Sequence, residues 1–222
     1  MNRPVAFLAL LTLGLVLATG CTTPFTPARP ETPSPGEKVV ENFSTADNVL
    51  ATIESAMRAR GASGLAAYTH ALADSTGPGV FAFYAFHDTA NVRSWHNATG
   101  LNPDVWGKTQ EAPAFYSYLG EQQPGLTYDF AFTLDDLSEI PPPDTETLAQ
   151  RHRHYELSAS PADGGDAITI AVGYANLYLQ KVGNRWFLYR WEDRLDPIYG
   201  VTPTDANAIA MGRLRLNSYS RQ

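Results

Sequence analysis

Residues 168–193 read ITIAVGYANLYLQKVGNRWFLYRWED, and this stretch decides the fold. Ile168 to Val182 is apolar on both faces, as a strand flanked by strands and covered on both sides should be. Gly183-Asn184 is a two-residue turn signal, and Trp186 to Asp193 returns as a second strand dense in aromatic residues. Upstream, His152 to Ser160 leads into a turn at Ala162-Asp163-Gly164-Gly165, which predicts a three-strand meander. Further upstream, Leu126, Tyr128, Phe130, Phe132 and Leu134 alternate with Thr127, Asp129, Ala131 and Thr133. That period of two predicts one more strand, with Pro141-Pro142-Pro143 as a loop after it.

Helical spacing dominates the earlier part of the domain. Val49, Ile53, Ala56, Met57 and Arg60 recur at intervals of three and four, with Ser44 or Thr45 placed to cap the first turn and Gly61 to stop the helix. A second helix is predicted over Ser63 to Leu72 and a third over Lys108 to Leu119, ended by Gln123-Pro124-Gly125. Between them, Val80 to Phe86 is a β-prone run after the breaker Gly77-Pro78-Gly79.

The amino-terminal segment carries a different message. Arg3 precedes an apolar stretch, Val5 to Ala18, that is short for a membrane span and suits a signal peptide. It ends Leu17-Ala18-Thr19-Gly20-Cys21, which resembles the lipobox of bacterial lipoproteins, with Ala18 where Leu is usual. The resemblance implies cleavage before Cys21 and acylation of its sulfur. Cys21 is the only cysteine, so no intramolecular disulfide can form, and lipidation would remove a lone thiol exposed to an oxidising compartment. Residues 1–20 are therefore expected as a lipoprotein signal peptide and 21–43 as a lipidated Cys and Pro-rich tether, with five prolines between Pro24 and Pro35. Residues 44–194 would form the folded domain and 195–222 a polar carboxy-terminal tail, with room for a short helix after Thr204.

Loss of residues 1–20 removes one charged side chain, Arg3, and makes the net charge of −7 one unit more negative. That balance offers no basic patch to neutralise phosphates, so nucleic acid is not expected as a partner. The expected location is the bacterial cell envelope, tethered to a membrane by lipid. Thr22 rather than Asp after the cysteine fits an outer membrane facing the periplasm, if the host has one.

The order helix, helix, strand, helix, strand, three-strand meander resembles the nuclear transport factor 2-like superfamily, also called the polyketide cyclase-like or cystatin-like cone. Residues 46–73 are similar to its opening helix pair and Trp106-Gly107-Lys108 to the start of its third helix. Asn184 to Asp193 is similar to its terminal strand, and with the lipobox this is like an uncharacterised subgroup of bacterial lipoproteins. The resemblance implies an α+β fold, a curved antiparallel sheet of about four to six strands wrapped round helices, with a pocket at the wide end. Members include isomerases, dehydratases, cyclases and binding modules, so fold alone does not imply function.

Enzymes of the superfamily place an Asp or His base in the cone, which makes Asp129 and His87 the candidates for catalysis; a buried carboxylate there would have its pKa raised by desolvation. The simpler reading of Asp129 is the solvated side of its strand, since it shares that side with Thr127 and Thr133, and His87-Asp88 reads equally as a turn. His152, His154 and Glu156 project from one strand face and match metal ligands in type, but adjacent positions on a flat strand converge poorly on one ion. A polar outer face is the plainer reading, so neither a metal nor a cofactor is expected. Tyr174, Tyr178 and Trp191 are the candidates for lining a ligand pocket, against core packing as the alternative. In this reading Tyr174 and Tyr178 share a face of the long strand, and Trp191 faces away from Leu188. Two hypotheses follow: a domain that binds a small apolar ligand or a protein partner, or an isomerase, dehydratase or cyclase. The both-sided apolar strand 168–182 would also permit a homodimer. Two sequons, at Asn42 and Asn97, read as chance in a bacterial lipoprotein.

Overall fold

The computed structural model describes residues 39–74, 82–84, 93, 96–97, 100, 106–115, 117, 125–134, 140–196 and 209–219, which all belong to the compact unit Thr32–Gln222. Helices α1 (Ala46–Ala59) and α2 (Gly61–Ala71) are followed by β1 (Ala82–Tyr84), α3 (Lys108–Phe115), β2 (Leu126–Leu134), β3 (Leu148–Pro161), β4 (Ile168–Val182), β5 (Arg185–Leu195) and α4 (Met211–Tyr219). The strands form one sheet in the order β1-β5-β4-β3-β2. Strands β2 to β5 are the expected antiparallel set, whereas the short β1 pairs with β5 in parallel. This is an α+β cone: a curved sheet closed on its concave side by helices. Bulges at Leu157/Ser158 and Tyr178/Leu179 supply the bends that curvature requires.

Local chemistry explains the helix pair. The Thr45 hydroxyl accepts the Asn48 N–H at 3.1 Å and caps α1. Val49, Ile53, Ala56 and Met57 of α1 are buried against the sheet, meeting a core that includes Phe130, Tyr155, Leu157, Leu177, Leu179 and Leu188. The turn between α1 and α2 falls on Arg60 at φ 58°, ψ −173°, a region nearly reserved for glycine, and Gly61 opens the second helix rather than only ending the first. Gly64 lets the two helices close, since a Cβ there would stand 2.5 Å from the Ala56 carbonyl oxygen.

Neighbouring segments bond to the free sides of β2 and of the start of β5. On β2, Glu54 of α1 accepts the Phe132 N–H at 2.6 Å and Arg60 donates to the Leu126 carbonyl at 3.4 Å. On β5, Trp186 N–H donates to Phe43 at 2.8 Å and Ala73 N–H donates to Leu188 at 2.8 Å, with β1 continuing the same edge. Each such bond satisfies a backbone group that would otherwise be free to pair with another chain.

Two domain boundaries move. Val39 and Phe43, expected in the tether, are buried, and Phe43 stacks on Phe187 at 6.2 Å. Residues 209–219, expected in a polar tail, form a bridge and a helix that enter the core: Ile209 pairs with Ala171, and Met211, Leu214 and Leu216 are buried. Cys21 lies outside the described residues. Among the described residues, no helix is long and apolar enough to cross a membrane.

Candidate functional site

Among the described residues, the concave side of the sheet carries a set of buried polar groups. Glu111 of α3 sits at its centre, 1% exposed. Its carboxylate accepts Trp106 Nε1–H at 2.7 Å, Arg215 Nε–H at 2.6 Å and the Tyr68 hydroxyl, while Arg215 Nη2 reaches the Tyr68 oxygen at 3.0 Å. The Arg215 guanidinium also lies over the Trp191 ring, 4.5 Å from its centroid. Burial opposes the charge on Arg215, but Glu111, Tyr68 and Asp193 outweigh it and hold its pKa above the ordinary value. Burial, reinforced by Glu111, keeps the Tyr68 phenol protonated far beyond its usual range.

A second buried cluster adjoins it. The Tyr155 hydroxyl donates to Asp193 at 2.6 Å and accepts the Met211 N–H at 2.8 Å, while the Gly212 N–H donates to the other Asp193 oxygen at 2.6 Å. Asp193 thus receives the first turn of α4, where unpaired N–H groups favour an anion. Burial raises the Asp193 pKa, and the bonds from Tyr155 and Gly212 and the charge of Arg215 oppose that rise. Gly173 makes the arrangement possible, because a Cβ there would come 2.5 Å from the Tyr155 hydroxyl.

Space beside Glu111 is small. A cavity of ≈ 20 Å³ is lined by Met57, Tyr68, Glu111, Phe115, Leu214 and Arg215, enough for about one water. A larger groove of ≈ 420 Å³ lies outside the core, beside the β4–β5 hairpin. Glu41, Asp74, Lys108 and Arg185 supply its charges, His70 adds an imidazole, and Leu72, Val182 and Phe187 give its apolar surface. Within it His70 Nδ1 meets Glu41 at 2.9 Å, and Lys108 Nζ lies 3.5 Å from Asp74.

The sequence candidates fall elsewhere. Asp129 is on the edge strand, its side chain 70% exposed and paired with Arg58 at 2.8 Å, so the desolvation that would make it a base is missing. His87 lies outside the described residues. Trp191 is fully buried among Phe132, Tyr155 and Arg215, a core position rather than a pocket wall. The bulge at Tyr178/Leu179 puts it on the same face as Leu188, not the opposite one, because one extra residue on β5 reverses the alternation. Tyr174 and Tyr178 are on the other face of β4, as a pair, but with separate neighbours: Tyr174 packs on His154 and Arg194, and Tyr178 donates to Glu192 at 3.1 Å. Arg190 and Glu192 pair beside them, also away from Leu188.

His152, His154 and Glu156 do share a face, yet each turns to a different neighbour: Gln150 at 2.7 Å, Asp196 at 3.1 Å and Thr169 at 3.0 Å respectively. Among the described residues no group of three His, Cys, Asp or Glu side chains gathers to hold a metal ion. Sequence reasoning missed Glu111, Arg215, Tyr68 and Asp193. The available signal was a charged residue between two leucines, Leu214-Arg215-Leu216, and a Trp five residues before a Glu on a mixed helix.

No protein-family model and no curated protein matches the chain. Solved structures of similar fold include a protein of unknown function from Mycobacterium tuberculosis, 12% identical, covering 79% of this chain and 86% of that one, with TM-score 0.47. A ketosteroid isomerase-like protein from Erwinia carotovora atroseptica is 14% identical, covering 68% and 94%, with TM-score 0.40. A protein of unknown function with a cystatin-like fold from Nostoc punctiforme is 13% identical, covering 71% and 97%, with TM-score 0.38. Nothing about activity passes from these proteins to this chain.

Proposed function

We propose that this chain is a lipid-anchored protein of the bacterial cell envelope whose cone is a binding module rather than an enzyme. The anchor half rests on Cys21, the sole cysteine, behind a signal-like stretch and before a proline-rich tether. Two or three acyl chains would hold it stably, where one would be marginal.

The binding half rests on one observation: among the described residues, the ionisable groups at the centre of the cone are bonded to one another, with space for about one water beside Glu111. Acid–base catalysis needs such a group within reach of a substrate cavity. Glu111 and Asp193 instead spend their oxygens on Trp106, Tyr68, Arg215, Tyr155 and the α4 backbone. The groove beside the hairpin is the place for a small ligand.

Two measurements test this reading. Intact-mass spectrometry of the membrane-extracted chain, wild type beside Cys21→Ala, should show loss of residues 1–20 and gain of two or three acyl chains only in the wild type. An unmodified Cys21 on a soluble, cleaved chain would remove the anchor. Incubation of the chain with an envelope extract should return a bound molecule unchanged; steady consumption of a molecule would favour an enzyme.

A further inference from the structure

Arg185 stands at the head of β5, on the rim of the ≈ 420 Å³ groove. Its guanidinium lies over the Phe43 ring at 4.6 Å and the Phe187 ring at 5.3 Å. These rings stack on each other and belong to segments already tied together by the Trp186–Phe43 backbone bond. The guanidinium is thus held beside two aromatic rings, while the side chain is exposed and its N–H groups are open to another partner. No ion pair to Arg185 occurs among the described residues, although the other charged groups of the groove, Glu41 with His70 and Asp74 with Lys108, are paired. A planar guanidinium drawn against aromatic rings is suited to bidentate capture of a carboxylate or phosphate.

The rest of the groove selects between those anions. Glu41 and Asp74 line it as well, so a dianion would meet two carboxylates, whereas a ligand with its own ammonium would match them. The Asp74–Lys108 pair is long at 3.5 Å and its Asp is 70% exposed, so little is lost when a ligand competes for either charge. Leu72, Val182 and Phe187 offer apolar surface between the charges. The volume falls within the roughly 300–1,000 Å³ typical of small-molecule sites.

We propose that Arg185 is the carboxylate clamp of a site for a zwitterionic ligand, an amino acid or short peptide with an apolar side chain. The ammonium is taken by Asp74 and Glu41. This rests on the binding-module reading above and names the ligand class for its groove.

The test is calorimetric titration of the full-length chain in detergent with L-leucine, L-leucyl-L-leucine, N-acetyl-L-leucine, L-leucinamide and inorganic phosphate. At least one uncapped ligand should bind, and capping either end should weaken it by about tenfold or more, the effect of losing a charge-assisted hydrogen bond. The stronger of leucine and dileucine identifies the free amino acid or the peptide as the source. Arg185→Met should abolish the preference for carboxylate over amide, and Asp74→Asn should reduce that for free over acetylated amine, with the far-ultraviolet dichroism of both variants unchanged. Equal affinity for capped and uncapped ligands, tighter binding of phosphate, or no binding of any of them would overturn the proposal. A different molecule recovered unchanged from the envelope extract would then leave the binding-module reading standing, and consumption of a molecule would remove both.

Discussion

Arg215 and Glu111 are 104 residues apart in sequence and meet at 2.6 Å inside the cone, each almost fully buried. The pair joins α4 to α3, and through the Tyr68 hydroxyl to α2. Removal of one partner leaves the other charge buried without its hydrogen-bonded counter-ion. Glu111→Ala should therefore destabilise the domain by about 3–5 kcal/mol, while the double change Glu111→Leu with Arg215→Met should cost clearly less. Urea denaturation of the three proteins checks this, and equal losses in single and double variants would show that the ion pair is not the source.

Tyr155 and Gly173 face each other across β3 and β4. Gly173→Ala would place a methyl group 2.5 Å from the Tyr155 hydroxyl, which bonds both Asp193 and the first turn of α4. Tyr155 cannot shift without breaking both bonds. We expect a loss of roughly 1–3 kcal/mol from overpacking, with more if Asp193 is left unsatisfied. Hydrogen exchange at Met211 and Gly212 should accelerate most; protection unchanged there would contradict the link between β4 and α4.

The meander was legible because a strand buried on one or both faces writes its period into its residues. β2 and β4 begin and end where that pattern does, at Leu126 and Leu134 and at Ile168 and Val182. What failed was local. A bulge carries no composition signal, so an unbroken alternation past Tyr189 puts Trp191 on the face opposite to the one it occupies. The α4 segment MGRLRLNSY reads as polar because Arg213, Arg215 and Asn217 interrupt its leucines, yet Arg215 is a core residue once Glu111 neutralises it. Likewise a glutamate in a short helix is solvent-facing by default, and only the tertiary meeting with Trp106 and Arg215 makes Glu111 central.

Arg151 bridges two carboxylates, Asp47 of α1 at 2.8 Å and Asp144 at 2.7 Å. Its hydrogen bonds hold both acids below the ordinary value of 3.8. A lowered folded-state pKa contributes stability that is present above 3.8 and lost as the pH falls through the folded value. Asp193 acts in the opposite sense: burial raises its pKa, so its contribution is full below 3.8 and lost as the pH rises through its folded value. Arg151→Met should lower the melting temperature above about pH 4, where this contribution is present, and so flatten its fall below that pH. Asp193→Asn should lower stability at every pH, because its amide NH2 must face the Tyr155 or the Gly212 donor, and should in addition remove the fall in stability as the pH rises above 3.8. A variant that shifts the whole curve evenly would contradict these assignments.

Arg60 turns the chain between α1 and α2 at φ 58°, ψ −173°, a conformation that costs about 1–3 kcal/mol for any residue but glycine. Its side chain offsets that strain. The guanidinium lies 4.0 Å from the Tyr128 ring centroid and donates to the Leu126 carbonyl, closing the exposed end of β2. The two terms separate in a pair of variants. Arg60→Gly relieves the backbone and loses the contacts, so its stability should stay within about 1 kcal/mol of wild type, because a buried cation–π contact of about 2 kcal/mol is similar in size to the strain relieved. Arg60→Ala keeps the strain, loses the contacts and should fall well below both. Thermal melts of the two side by side decide the matter: an alanine variant as stable as the glycine variant would mean that the turn carries no strain for the side chain to offset.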